Sequence, residues 1–458
     1  MRRLPLHQLR WSPSPEGEDK GENAMIDFSV EPEFQKKLDW MNTFVREECE
    51  TMDLLFPESG VQYDTKNKAA RAHLKPLQEQ VKAQGLWACH LGPNLGGPGY
   101  GQVKLGLMNE IIGRSNWAPT VFGTAAPDTG NAEILALFGT PEQKQKYLGP
   151  LMDGDIVSCF SMTEPQGGAD PGEFTCKATL EGDHWVIEGE KWFSSNAKLA
   201  SFLLVMAVTD PDKPLTERMS MFIVPTDTPG INILRNVAIP GDPDPADGHH
   251  AHIRYEKVRV PLDHMLGTRG GGFKVAQARL GGGRIHHAMR TVGKCQRYID
   301  MMLERAVSRR TRGRMLGDHQ FVQGKIADSI IELEQFRCLV IKTAWIIDEV
   351  EAGRMPHGAA RNHIGMCKVA MASVWMNVIG RALEIHGSLG ISLDLPLANW
   401  FGGGMALAFA DGPTDVHKSQ LARAHLAAAR PAEGMFPSEH IPTRLQAALA
   451  RYPGAREA

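Results

Sequence analysis

The sequence predicts a mainly α chain with a central β domain. Three features carry this: helical apolar spacing up to about residue 154, short apolar runs split by Pro and Gly over 155–267, and long helical stripes from 273 to about 429. The order is α, then β, then α, without an internal repeat. It divides the chain into a tail over 1–24, a helical domain over 25–154, a β domain over 155–267, a second helical domain over 268–430 and a tail over 431–458.

In the first domain Phe34, Leu38, Met41 and Phe44 recur at three and four residues and form one apolar face. The Gly-rich passage from Gly92 to Tyr100 breaks the helices. Thr140-Pro-Glu-Gln then opens another, with Thr140 as N-cap, Pro141 in the first turn and Glu142 favouring the dipole. In the β domain, Thr175 to Gly189 reads as two strands joined at Gly182-Asp183. Phe202–Val208, Ser220–Val224 and His252–Val260 add further strands. Beyond Phe273, the stretches 291–307, 320–352 and 360–387 each carry a helical stripe.

At 458 residues the chain is too long for one ordinary core. With a net charge of -3, nothing recommends nucleic acid or an anionic membrane as the main partner. Every long apolar run is interrupted by Gly, Lys, Asp or Arg, so no integral membrane segment is expected. Seven scattered cysteines read as reduced thiols in a cytoplasmic compartment. Residues 1–24 mix Arg2, Arg3 and Arg10 with four acids and lack an apolar centre, which fits a flexible extension ahead of Met25. The Pro- and Ala-rich end is expected at the surface.

Four runs could carry chemistry. Phe160 to Asp170 is a strand end entering a Gly-rich loop, where Thr163 and backbone amides could approach a flat or anionic ligand; alone it is as well read as a polar turn. Gly189 to Ala197 alternates aromatic and hydroxyl residues, which would set Phe193 and Ser195 on one strand face, over a ring or in a core. Arg305, Arg309, Arg310, Arg312 and Arg314 could grip a pyrophosphate or form a solvated helix end. Asp411 follows an uncharged stretch from Leu395 to Ala410. In a dry pocket it could act as a general base, while Asp-Gly-Pro is equally good turn chemistry. His249, His250 and His252, and the pair His286-His287, resemble metal ligands, but nothing completes a set at a known spacing, so no metal is expected.

The collinear set decides between these readings. Gly85-Leu-Trp, Gly96-Gly-Pro-Gly-Tyr100, Gly139 to Leu148, Met162-Thr-Glu-Pro and Gly189 to Ala197 are followed by Val258-Arg-Val-Pro261, Gly270-Gly-Gly-Phe273, Gly283-Arg284, Arg309 to Gly313 and His386 to Gly390. In this order, over residues 27–430, the chain resembles the acyl-CoA dehydrogenase family. It is especially similar to the branch with Ala-Asp-Gly-Pro at the catalytic turn, which includes the dehydrogenase portion of mammalian members fused to a kinase-like domain.

The resemblance implies a small antiparallel β domain, a carboxy-terminal four-helix bundle at the subunit interface, FAD as cofactor, and a homodimer or homotetramer. Met162 and Thr163 match positions that hold the flavin ring, with Phe193 and Ser195 at its other side. Arg309 and Thr311 match the pyrophosphate contact from the adjacent subunit, Gln320 a further cofactor position, and Glu384, Gly387, Ser388 and Gly390 the adenosine end. Pro413 and Asp415 match further cofactor positions, and Ala169, Arg284 and Gly412 substrate positions. Asp411 matches the catalytic carboxylate, which takes the α-proton of an acyl-CoA thioester while the β-hydrogen leaves as hydride to the flavin. The implied setting is fatty-acid or related acyl catabolism, with electron-transfer flavoprotein as acceptor. The alternatives are an oxygen-using flavoenzyme such as a nitroalkane oxidase, which also uses Asp, and a non-catalytic partner subunit.

The sequence departs from the family, or from some of its members, in five places. Asp411 stands for the usual Glu, about 1.5 Å shorter in reach. Some relatives place the base immediately before the arginine matching Arg284, and here that residue is Gly283. Glu384 replaces a Gln, an extra negative charge beside the cofactor that needs neutralising. Ala169 replaces a common Ser. The run Phe401-Gly-Gly-Gly-Met-Ala-Leu-Ala lacks the usual arginines, and its small residues are expected to widen the cavity for a bulky, branched or substituted acyl chain.

Overall fold

The computed structural model describes residues 29–58, 60–240 and 249–455; the tail read over 1–24 lies outside them. The longer helices are numbered in chain order. In the first domain these are α1 (Pro32–Phe44), α2 (Lys68–Ala83), α3 (Gln102–Ile112) and α4 (Asp128–Phe138). Phe34, Leu38, Met41 and Phe44 are all buried on α1, as their spacing requires. Thr140 caps as expected: its Oγ1 accepts from the Gln143 amide at 3.2 Å, and the Thr140 amide donates to Gln143 Oε1 at 3.1 Å. Gln143 also reaches across domains, donating from Nε2 to the carbonyls of Asp263 and Met265.

Eight strands follow: β1 (Ser158–Ser161), β2 (Lys177–Glu181), β3 (His184–Ser195), β4 (Phe202–Val208), β5 (Met219–Pro225), β6 (Ile231–Val237), β7 (His250–Pro261) and β8 (Met265–Leu266). Their order is β6-β7-β3-β2-β4-β5-β8, with β1 beside β4. The sheet is antiparallel except at β4, which runs parallel to β1 and, at its last residue Val208, pairs in parallel with Lys177 at the start of β2. The Gly182-Asp183 turn joins β2 to β3 as read from sequence. β6 was hidden in a passage that reads as turns. Every residue of β4 is buried, because the strand has packed layers on both faces.

The last part holds α5 (Gly272–Ser308), a small hairpin of β9 (Arg310–Thr311) and β10 (Arg314–Met315), α6 (Gln320–Glu351), α7 (Ala360–His386), α8 (Leu397–Phe409), α9 (Thr414–Ala428) and α10 (Ile441–Arg451). The terminal segment thus contains a helix, although its residues lie largely at the surface, as expected. No described helix is long and apolar enough to cross a membrane.

Three cores hold these parts together. One joins α1, α2 and α3 to α5, α6 and α7, so the two helical domains share a single interior despite their separation in sequence. A second lies within the sheet. The third packs α4 and the first turn of α5 against β4 and β5. The start of α5 therefore touches all three layers, and the face from Arg279 to Arg290 is directed to their junction.

Candidate active site

The loop after β1 and the end of β3 are welded together. Lys191 Nζ donates to Glu164 Oε1 at 2.8 Å and to the Met162 carbonyl at 2.7 Å. Both side chains of this ion pair are at most 1% exposed. Glu164 also accepts from the amides of Thr175 and Cys176. Burial alone would push its carboxyl up; Lys191 and these amides outweigh it and hold the group below the usual value. The Trp192 amide donates to the Thr163 carbonyl at 2.8 Å, so Met162, Thr163 and the end of β3 form one unit.

The expected simple alternation of β3 is broken by a bulge between Lys191 and Ser194, where Phe193 takes a φ of 54°. Phe193 and Ser195 still meet a common neighbour, because the Phe193 ring lies 5.2 Å from His250 and Ser195 Oγ is 2.8 Å from His250 Nδ1. Phe193 is exposed, an apolar ring facing out beside hydroxyls and a backbone-lined loop, which fits the edge of a flavin. The other histidine of interest, His252, bonds Glu190 at 2.7 Å. Among the described residues no three His, Cys, Asp or Glu side chains group as metal ligands. Ala169 lies exposed on the loop beyond Thr163.

Asp411 sits just past the end of α8, with a φ of 55°. Its carbonyl accepts from Arg284 Nε at 2.9 Å and from His417 Nε2 at 3.3 Å. Its carboxylate Oδ2 lies 3.8 Å from His287 Nε2 and is 16% exposed at side-chain level. A Cβ at Gly283 would lie 3.2 Å from that oxygen, so positions 283 and 411 converge on one point in space. His287 is brought down to about 4 by burial, reinforced by Arg290 and opposed by Asp411, and is neutral at pH 7. Lys368 is brought down to about 8 by burial, with Asp411 opposing. Arg279 stacks on Phe160 at 4.0 Å and donates from Nε to Asn131 Oδ1. Pro413 continues the turn, and Asp415 is exposed on the first turn of α9.

Glu133, on α4, is pushed up to about 7 by burial, with Arg279 opposing and Glu351 adding to it. Its folded value lies above the unfolded one of about 4.3. The folded state therefore binds this proton more tightly, and the benefit is lost as pH rises through about 7. Glu133→Gln is expected to raise Tm more at pH 8 than at pH 5. An equal shift at both values in thermal melts would refute this.

A third group lies elsewhere. Arg309 and Thr311 are exposed at the hairpin that follows α5, about 36 Å along the helix from Arg284 at 1.5 Å per residue. Gln320 starts α6, and Glu384, Gly387, Ser388 and Gly390 lie at the end of α7. Glu384 forms an ion pair with Lys325, five residues beyond Gln320, so a lysine of the same chain supplies the neutralising charge. The glycines ahead of Asp411 do not open a cavity. A Cβ at Gly402 would meet the Pro240 carbonyl and one at Gly404 the Trp375 ring, so these residues permit close packing of α8.

Sequence reasoning missed Lys191, Glu164, Lys368, Arg279 and His417, and weighed His287 only as a metal ligand. Glu164 and Lys191 lay inside the quoted motifs and were readable as turn and strand residues. Lys368 is a charge within an apolar helical stripe, which was the available signal.

Profiles for the N-terminal, middle and C-terminal domains of acyl-CoA dehydrogenase match residues 36–155, 159–250 and 270–426. Acyl-CoA dehydrogenase family member 11 of Rattus norvegicus is 39% identical over 357 residues, covering 77% of this chain and 45% of that protein. The chain thus spans less than half the length of that relative. FadE2 of Mycobacterium tuberculosis is 40% identical over 359 residues, covering 77% of this chain and 85% of its own length. A solved structure from Mycobacterium abscessus is 34% identical with a TM-score of 0.79, over 88% of this chain and 100% of that one. With matched profiles along its length and a relative covered over most of its sequence, this chain belongs to the acyl-CoA dehydrogenase family.

Proposed function

We propose that the protein desaturates an acyl-CoA thioester between the α and β carbons, with Asp411 as the base. The observation that carries this is the Asp411 turn: a mostly buried carboxylate, held through its own backbone by Arg284, at the point where position 283 also converges. A carboxylate shielded from water is a stronger base toward a carbon acid than an exposed one. FAD, when bound, supplies the two-electron acceptor for the β-hydrogen. The Met162–Thr163 loop and the Phe193–Ser195 bulge would hold the ring. His287, being neutral, adds no positive charge beside the carboxylate, while Arg284 orients the turn. Arg284, Ala169 and Gly412 would border the substrate.

The Arg309–Thr311 hairpin and the α7 end, far from Asp411 along α5, support a cofactor site completed by a second copy of the chain. Arg309, Thr311 and Gln320 would contact one end of the cofactor, and Glu384, Gly387, Ser388 and Gly390 the adenosine end. The Glu384–Lys325 pair removes the charge objection to binding there. The proposed acceptor is an electron-transfer flavoprotein, the assembly a homodimer or homotetramer, and the setting acyl catabolism in the cytoplasm.

The test is the visible spectrum of the purified protein during anaerobic addition of acyl-CoA thioesters. Bleaching of a bound flavin by a thioester is the expected result. A bound flavin that no thioester bleaches, but that a nitroalkane reduces and oxygen rapidly reoxidises, would support the nitroalkane-oxidase reading that Asp411 shares. Absence of flavin binding would support a non-catalytic subunit.

A further inference from the structure

The base is one methylene short, and the turn around it is unusually braced. The last carbonyls of a helix have no partner within the helix, and around Asp411 side chains supply them. Lys368, fully buried on α7, donates to the Leu407 carbonyl, and Thr414 Oγ1 donates to that of Ala408 at 3.1 Å. The Asp411 carbonyl itself receives Arg284 from α5 and His417 from α9. His417 is 6% exposed and lies directly beneath the turn: a Cβ on Gly412 would be 2.9 Å from its Nε2. Its other ring nitrogen faces Gly365 on α7, where a Cβ would lie 3.9 Å away.

Asp411 and Gly412 occupy consecutive left-handed conformations, φ 55° and 97°. That conformation is uncommon for an L-residue, although Asp adopts it more readily than most, and here four side-chain hydrogen bonds hold the turn that contains it. Pinning the 411–412 carbonyl fixes the plane of that peptide, hence the direction of the Asp411 Cα–Cβ bond and the place its carboxylate reaches. Arg284 pulls on the carbonyl from one side and His417 supports it from another element. Gly283 leaves the space into which the carboxylate projects.

We infer that His417 is a positioning residue for Asp411. It acts as a strut that, with Arg284, carries the short carboxylate to the place where a longer one would otherwise reach. This rests on the reading of Asp411 as the base. The hydrogen bond from His417 goes to the backbone of the turn and not to the carboxylate, so its removal is expected to move the base without removing the base itself.

The experiment uses FAD-loaded full-length protein and four variants: His417→Ala, His417→Gln, Asp411→Glu and His417→Ala/Asp411→Glu. Single-turnover flavin reduction by butyryl-CoA is followed anaerobically at several concentrations, with protiated and α-deuterated substrate. A displacement of about 1 Å costs on the order of 100-fold in rate. His417→Ala is accordingly expected to slow reduction roughly 10- to 100-fold with thioester affinity unchanged and a larger α-deuterium effect. His417→Gln, which keeps an N–H, should recover most of the rate. Asp411→Glu should slow the wild type but accelerate the His417→Ala variant, because the longer arm offsets a slack turn.

Unchanged reduction in His417→Ala, or a loss confined to affinity, would overturn the strut. So would strictly multiplicative effects in the double variant. A crystal structure of FAD-loaded His417→Ala without thioester decides the same point independently of turnover. The Asp411 carboxylate is expected to shift by about 1 Å; an unmoved carboxylate would overturn the inference. If butyryl-CoA and all other thioesters fail to bleach the wild type, the proposed activity falls, and the crystal structure still decides whether His417 sets the turn.

Discussion

Asp411→Asn is expected to leave flavin bound and to slow its reduction by an acyl-CoA thioester by about 10²- to 10⁴-fold, the usual contribution of a positioned general base. The substitution is chosen for what it preserves. Asn has the size of Asp and tolerates the left-handed conformation found at this position. The bonds from Arg284 and His417 go to the backbone carbonyl, so they survive. What is lost is the capacity to take a proton. The measurement is anaerobic stopped-flow bleaching of the flavin band, with thermal melts as a control for folding. A variant that reduces at the wild-type rate would remove Asp411 from the mechanism.

Lys191→Met is expected to destabilise the folded protein by about 3–5 kcal/mol, because Glu164 is then left buried without its cation. The pair is almost wholly inaccessible, so solvent offers the orphaned carboxylate little relief. The effect depends on pH in a determined direction. Glu164 titrates below its ordinary value in the fold, so its stabilising contribution is present above the unfolded pKa of about 4.3 and is lost as pH falls through the folded one. The gap between wild type and variant should therefore be widest near neutrality and narrow in acid. Urea unfolding at pH 7 and pH 4 measures it. Because Lys191 also holds the Met162 carbonyl, flavin affinity should fall with stability. A variant as stable as wild type at pH 7 would show that the pair contributes nothing net.

Much of this was legible in the residues. The spacing of Phe34, Leu38, Met41 and Phe44 predicted a buried helix face, and Thr140 announced its cap, because both depend on neighbours within a few positions. The turn at Gly182-Asp183 is legible for the same reason. The Asp411 turn stood out as a lone charge after an apolar stretch, although local chemistry left it balanced between base and turn. The β3 bulge was not legible: strict alternation fails where Phe193 takes a left-handed conformation, and that conformation is stabilised by pairing with β7 and with the loop at Thr163. The small residues at Gly402 and Gly404 read as open space, and Pro240 and Trp375 fill it.

The sequence by itself determined the α-β-α order and, through its collinear motifs, the family resemblance from which Asp411 and the segments proposed to meet a flavin were chosen. These are written in period, composition and collinear motifs. Only the tertiary structure decided which charges face one another. Glu164 and Lys191 lie 27 residues apart, Lys325 and Glu384 59 apart, and Arg284 and Asp411 127 apart. Side-chain charges interact through space at a few ångströms, and that distance is set by packing of whole elements, which local sequence does not specify.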